Sequence, residues 1–156
     1  MDKNVFNKIV KQQIVSYGFA KTGPYDYAKD AQDGITKIVL RAPNMVSGFF
    51  VGVQFKDYGD FSGKYSKTCM KYKTFELELC IASIKNYSEK DIIKSVKTVM
   101  NGIDIYLREG RNAIRENIDQ WEFALFDEKK QNEIYAYLGL PLIDPYSDSY
   151  IIKQIE

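Results

Sequence analysis

The segment with the most side chains able to do binding chemistry is FKDYGDFSGKYSKTCMKYKTF, residues 55–75. Its five lysines and two aspartates give a local charge of +3 (five minus two), whereas the whole chain carries +1. Lysine attracts phosphates or acidic protein surfaces, and aromatic side chains stack on bases or fill pockets of a partner. The candidate partner-binding residues are Tyr58, Phe61, Lys64, Tyr65, Lys67 and Tyr72.

A phosphate-binding loop is one interpretation of GDFSGKYS, residues 59–66. The P-loop needs four residues between its glycines, a Ser or Thr directly after the lysine, and a helix following. Here three residues separate the glycines, and Tyr65 follows Lys64. A strand-like run comes next instead of a helix, so this interpretation fails.

A nucleic-acid-binding surface is the stronger alternative, because lysines interleaved with aromatic side chains suit a single strand. Two observations weigh against it. The segment contains no arginine, and the chain as a whole is close to neutral.

A protein-binding loop is the favoured interpretation of the segment. Long irregular connections are uncommon in compact domains and are disproportionately functional, and tyrosine and phenylalanine give interface energy with few rotatable bonds. Tyr58, Phe61 and Tyr65 would anchor the partner, and Lys64 and Lys67 would attract an acidic surface. The plainest alternative is a hairpin connection whose aromatic side chains pack back onto the sheet edge.

Catalysis and metal binding are disfavoured because the chain has no histidine. That absence removes the Ser–His–Asp and Cys–His nucleophiles and the common zinc sites. Cys69 and Cys80 are eleven residues apart, which matches neither a CxxC motif nor a zinc knuckle. We therefore expect no enzyme activity, no metal and no cofactor, with both cysteines as free thiols.

Length and composition predict one globular domain spanning residues 1–156, since 45% of the residues are apolar. No apolar run approaches the roughly 20 residues needed to span a bilayer. The N-terminus lacks the apolar stretch of a signal peptide. These features predict a cytoplasmic protein that does not bind membranes, and they leave its oligomeric state open.

The first half of the chain predicts a helix followed by strands that could carry the segment. NVFNKIVKQQIVSYGF has helical spacing up to Gly18, and a short strand is expected at 25–28. ITKIVLRA, GFFVGVQF and TFELELCIAS each alternate apolar with more polar residues, which is typical of an antiparallel sheet with one packed face. Together with a helix described next, the predicted core is Ile38, Leu40, Val51, Val53, Leu77, Leu79, Val96, Val99 and Ile103.

The second half is predicted to be mostly helical. Ser88 and Asp91 form a capping box that opens a long helix ending at Gly110, and Ile93 and Leu107 widen its apolar stripe. A shorter helix, a possible strand from Trp121, and a last helix closed by Gly139 and Pro141 follow. The predicted fold class is therefore α+β, with an antiparallel sheet of about four or five strands covered on one face by two or more helices.

Three arginines close in sequence, Arg108, Arg111 and Arg115, could hold a phosphate if Gly110 did not break the helix between them. Glu109 and Glu116 are near enough in sequence to neutralise them. A salt-bridged surface is the preferred interpretation.

The order of amphipathic helix, YGF, turn, ITKIVLRA and GFFVGVQF resembles a family of small bacterial domains of unknown function. Such families are close to the immunity proteins of polymorphic toxin and contact-dependent inhibition systems. The resemblance covers roughly residues 5–55. It implies a non-catalytic domain that neutralises a cognate toxin by occlusion, and it assigns no functional residue. A nucleic-acid-binding or phage-associated accessory module using residues 56–73 is the alternative.

Overall fold

A computed structural model describes residues 1–43, 48–58, 70–72, 81–123 and 128–142. Residues 70–72, 81–83, 122–123 and 128–130 are described by their backbone. The chain divides into two compact units, Met1–Ala124 and Leu125–Glu156, which are considered separately. The expectation of a single domain over residues 1–156 stays a prediction.

The first helix, α1, spans Lys3–Ser16 and has the predicted buried face. Its N-terminus is capped by the Asp2 carboxylate, which accepts from the Val5 amide at 2.9 Å. Gly18 follows the helix with a φ of 89°, a conformation that glycine adopts without steric cost, and Phe19 is buried directly after it. The Gly-Phe pair therefore ends the helix and returns the chain to the core.

In the part of the chain that the structure describes, the sheet has six antiparallel strands arranged in chain order. The strands are β1 (Ala20–Lys21), β2 (Asp26–Asp30), β3 (Thr36–Arg41), β4 (Phe50–Phe55), β5 (Met70–Tyr72) and β6 (Trp121–Phe123). The predicted α+β class and antiparallel sheet are confirmed. Among the described residues the number is six, close to the predicted four or five, because short strands of two and three residues extend the sheet.

The register of β3 and β4 explains which residues form the core. Ile38 lies opposite Val53 and Leu40 opposite Val51, and all four side chains are buried. Antiparallel partners share one face, so the predicted alternation of apolar and polar residues is confirmed here. On the other face, Arg41 lies opposite Asp26 and its Nε is 2.8 Å from the Asp26 carboxylate.

The long helix α2, Glu89–Glu109, covers the apolar face of the sheet. Ser88 and Asp91 form the predicted capping box, with the Ser88 amide donating to the Asp91 carboxylate at 2.8 Å. The helix contacts both β3 and α1, and the ring of Tyr106 meets that of Trp121 edge to face at 5.1 Å. Its buried residues are Ile92, Val96, Val99, Met100, Ile103 and Tyr106.

The chain after α2 follows the expected order of elements. Gly110 separates α2 from a short helix, α3 (Arg111–Glu116), and a 3-10 turn at Ile118–Gln120 leads into β6. In the second unit, helix α4 spans Glu128–Leu138 and ends at Gly139, whose φ is 71°.

Three sequence expectations need correction. Ile93 was expected to widen the apolar stripe of α2, but it is 38% exposed because it lies off the face that meets the sheet. The sequence pattern indicates one connection over residues 55–75, yet β5 lies within them. The predicted strand TFELELCIAS is wrong at its end, since Ile81–Asn86 is a 3-10 helix. Leu77 and Leu79 lie outside the described residues.

Candidate partner-binding site

The predicted partner-binding segment leaves the sheet between two neighbouring strands. β4 ends at Phe55 and β5 begins at Met70, and Met70 is the Cα partner of Val53. The connection therefore comprises residues 56–69. We call residues 56–69 the β4–β5 connection, and of these the structure describes 56–58.

The structure describes two of the six predicted binding residues. Tyr58 is half-buried, and its amide donates to the carbonyl of Phe55 at 3.1 Å, which turns the chain at the end of β4. Tyr72 lies in β5 opposite Trp121, two residues beyond Met70. Because β4 and β5 are antiparallel, Tyr72 is at the end of the ladder away from Tyr58. The remaining four, Phe61, Lys64, Tyr65 and Lys67, lie outside the described residues.

The start of the β4–β5 connection is bonded to the turn between β2 and β3. The Lys56 amide donates to the carbonyl of Ile35 at 2.8 Å. The Lys56 Nζ also lies 2.9 Å from the carboxylate of Asp30, the last residue of β2. One backbone bond to this turn and one ion pair to the end of β2 therefore attach the connection to the rest of the sheet.

A second attachment runs from the connection to the beginning of α3. The Asp57 carboxylate lies 3.6 Å from the guanidinium of Arg111. Both side chains are partly exposed, and solvent-exposed ion pairs contribute only about 0.2–1 kcal/mol. The pair consequently adds little to global stability, and it joins the first residues after β4 to the start of α3.

Asp33 joins the same turn to the start of α3 through four hydrogen bonds to its carboxylate. It accepts from the amides of Ile35 and Thr36, at 3.0 and 2.9 Å, and from the Thr36 hydroxyl at 2.8 Å. The fourth donor is the Arg111 amide, 2.8 Å from Oδ2. A further backbone bond, from the Gln32 amide to the Leu107 carbonyl at 2.9 Å, holds the turn against the end of α2.

Gly110 allows the Asp33 carboxylate to lie close to the backbone between α2 and α3. Its φ is 63° and its ψ −132°, a combination open to glycine and strained for other residues. A Cβ at this position would overlap the carboxylate of Asp33. The helix break thus leaves room for the carboxylate to reach the Arg111 amide. We refer to Asp33, Lys56, Asp57 and Arg111, which attach the start of the β4–β5 connection to the fold, as the attachment cluster.

The carboxylate of Asp33 is held in its charged form by these bonds. Partial burial on its own would raise the pKa of Asp33, but the hydrogen bonds from Arg111, Thr36 and Ile35 outweigh it and lower the pKa from the ordinary value of an aspartate. A carboxyl with a lower pKa in the folded state stabilises the fold at pH values above its unfolded pKa. That stabilisation is lost as the pH falls through the lower, folded pKa.

We expect Asp33→Asn to reduce the dependence of stability on pH below about pH 4, because the variant lacks the titrating carboxyl. At pH 7 the variant should be less stable than the wild type, since the amide has one accepting oxygen where Asp33 uses two, and its NH2 group would face a donor that the carboxylate accepts. Urea unfolding at pH 7 and at about pH 3 measures both effects. A difference between variant and wild type that stays constant with pH would contradict this role of Asp33.

The three arginines do not share one face, because Gly110 separates α2 from α3. Arg108 pairs with Asp104 within α2, its Nε 2.7 Å from the carboxylate, and Arg111 pairs with Asp57. An ion-paired surface was the preferred interpretation, and these two pairs agree with it, although their acids are aspartates instead of the expected Glu109 and Glu116.

The sequence analysis did not predict the attachment cluster. Its one visible signal was the pair of turn glycines after Asp33 and before Arg111.

In the described ranges, no group of three or more Cys, Asp or Glu side chains is placed to hold a metal ion. None of the described helices is both long and apolar enough to cross a membrane.

The chain was compared with protein families, curated proteins and solved structures. No family model, curated protein or solved structure matches the chain.

Proposed function

We propose that this chain is a non-catalytic protein-binding domain of the cytoplasm, an immunity protein that neutralises a cognate bacterial toxin by occluding it. The observation that carries the proposal is the β4–β5 connection. It is rich in lysine and aromatic residues, it joins two neighbouring strands, and its first residues are bonded to two other parts of the fold.

The physical argument is one of preorganisation. Binding costs conformational entropy wherever a loop must be ordered. A connection whose first residues are already fixed therefore loses less conformational entropy on association. Tyr58, Phe61 and Tyr65 would supply the aromatic anchors in this proposal. Lys64 and Lys67 would steer an acidic surface of the partner and mainly raise the association rate. The resemblance of residues 5–55 to the neighbours of immunity families supplies the class of partner.

Tyr65→Ala and Phe61→Ala test the proposal. An immunity gene lies directly downstream of its toxin gene, so the partner to use is the product of the reading frame directly upstream. Each should weaken the complex by about 1–3 kcal/mol, as truncation of an aromatic anchor commonly does. Tyr25→Ala is the matched control, because Tyr25 is 50% exposed and lies outside the connection. It should leave the affinity unchanged, and none of the three should shift the thermal midpoint appreciably.

A different pattern would exclude the proposal. If Tyr65→Ala unfolds the protein, the aromatic side chains belong to the core and the connection is structural. If all three variants bind the partner equally well, the interface lies elsewhere on the domain.

Lys64→Ala with Lys67→Ala separates steering from anchoring. The double variant should slow association at low salt and approach the wild-type rate at high salt, because exposed charges act over about one Debye length. Lys94→Ala with Lys97→Ala is the control, since both lysines are exposed on α2. An unchanged association rate for the first pair would remove the steering role.

A further inference from the structure

Arg111 makes two bonds of different kinds with two different segments. Its backbone N–H donates to Asp33 of the β2–β3 turn at 2.8 Å, and its guanidinium lies 3.6 Å from Asp57 at the start of the β4–β5 connection. It is also the first residue of α3, directly after the break at Gly110. Arg111 therefore links the junction between α2 and α3 to the β2–β3 turn and to the start of the β4–β5 connection.

We propose that Arg111 is a positioning residue for partner binding, and that its guanidinium holds Lys56–Tyr58 in the orientation in which the connection meets its partner. The inference rests on the proposed function for its biological meaning. Whether the Arg111 guanidinium holds Lys56–Tyr58 concerns described residues alone and can be measured without any partner.

Arg108 shows by contrast what a merely superficial ion pair looks like. It precedes Arg111 by three residues, yet its guanidinium pairs with Asp104 one turn earlier in the same helix, at 2.7 Å. That pair connects α2 only to itself. The pair of Arg111 with Asp57 instead joins the α2–α3 junction to the end of β4, 54 residues earlier in the chain (111 minus 57).

The backbone bond of Arg111 makes a clean variant possible. Arg111→Gln removes the guanidinium but keeps the amide that donates to Asp33, so the turn and the beginning of α3 are preserved. Asp57→Asn removes the same ion pair from the other side. Arg108→Gln is the matched control, because it removes an exposed ion pair of the same chemistry from the neighbouring helix.

Amide hydrogen exchange of Lys56 and Tyr58 in the free, full chain is the measurement. Both amides are hydrogen-bonded, to the carbonyls of Ile35 and Phe55. Arg111→Gln and Asp57→Asn should each speed their exchange roughly twofold to fivefold, the range expected for losing one exposed ion pair. Arg108→Gln should leave both amides unchanged, and Arg111→Lys should recover part of the protection.

Salt provides a second signature that a packing role would not give. The difference between wild type and Arg111→Gln should shrink as the salt concentration rises towards about 1 M, where exposed charges are screened within about 3 Å. Equal exchange in Arg111→Gln and Arg108→Gln would overturn the inference. A difference that does not depend on salt would overturn it as well.

Binding to the upstream-encoded protein distinguishes failure of this inference from failure of the proposed function. If the wild type forms no complex, the proposed function fails, and the exchange data still decide whether Arg111 positions Lys56–Tyr58. If the complex forms, Arg111→Gln should weaken it severalfold more than Arg108→Gln does. Equal affinities of the two variants would overturn the positioning role while leaving the proposed function in place.

Discussion

Gly110→Ala is expected to destabilise the protein by about 3 kcal/mol or more. A non-glycine residue at positive φ costs about 1–3 kcal/mol, and the new Cβ would overlap the Asp33 carboxylate. The carboxylate must then move, which weakens bonds worth about 0.5–1.5 kcal/mol each, including the one to the Arg111 amide. Urea unfolding monitored by circular dichroism measures the loss.

Gly34→Ala is the matched control for that experiment. Gly34 has a φ of 71°, close to that of Gly110, but nothing lies within 4 Å of the position of its Cβ. Its replacement should therefore cost only the backbone strain, about 1–2 kcal/mol. The excess loss in Gly110→Ala reports the contact with Asp33 together with the added backbone strain of a ψ of −132° at Gly110. Equal losses in the two variants would mean that Asp33 does not need the space beside Gly110.

Ile103→Ala is expected to destabilise the protein by about 2–5 kcal/mol, the usual effect of truncating a large aliphatic side chain in a core. Ile103 is fully buried on the face of α2 that meets the sheet. Because the surrounding strands are held by their ladder hydrogen bonds, they can close only part of the cavity. The free energy of unfolding from urea denaturation is the quantity to compare.

Ile93→Ala provides the same substitution in the same helix at an exposed site. Ile93 is 38% exposed whereas Ile103 is fully buried, so truncation at Ile93 removes less buried surface, and alanine has the higher helix propensity. Its effect should be about 0.5 kcal/mol or less. A large loss at Ile93 would restore the wider apolar stripe that the sequence pattern indicated, and a small loss at Ile103 would remove α2 from the core.

Periodicity predicted the parts of the fold that depend on local rules. The helices α1 and α2, the capping box at Ser88 and the alternation in β3 and β4 follow from residue spacing alone, and the structure confirms them. These features share a cause, since burial on one face imposes a period of 3.6 or 2 on the sequence. Seven of the nine predicted core residues are buried. The other two, Leu77 and Leu79, are outside the described residues.

The features that sequence reasoning missed depend on contacts between distant residues. The glycines beside Asp33 and Arg111 indicate turns, but they do not indicate that the two residues meet across 78 positions. The three residues of β5 are too few for a periodic signal, and only their pairing with β4 and β6 identifies them as a strand. Ile93 was misplaced because the period of a helix predicts an apolar stripe but not how much of it a neighbouring sheet can cover.

For the candidate site, the sequence identified the segment and the structure located its origin. The lysine and aromatic content of residues 55–75 was visible at once, whereas the bonds that hold Lys56 and Asp57 were not. The six predicted residues also divide differently from the expectation. Tyr58 belongs to the start of the β4–β5 connection, while Tyr72 belongs to β5.

Titration of the purified chain with two probes at about 0.15 M salt tests the central claim most directly. The probes are the upstream-encoded protein and a single-stranded oligonucleotide. Our account predicts a saturable complex with the protein, and no binding to the oligonucleotide at micromolar concentrations. The contradicting result is micromolar or tighter binding of the oligonucleotide, with a log–log salt slope set by the lysines engaged and loss of binding in Lys64→Ala with Lys67→Ala.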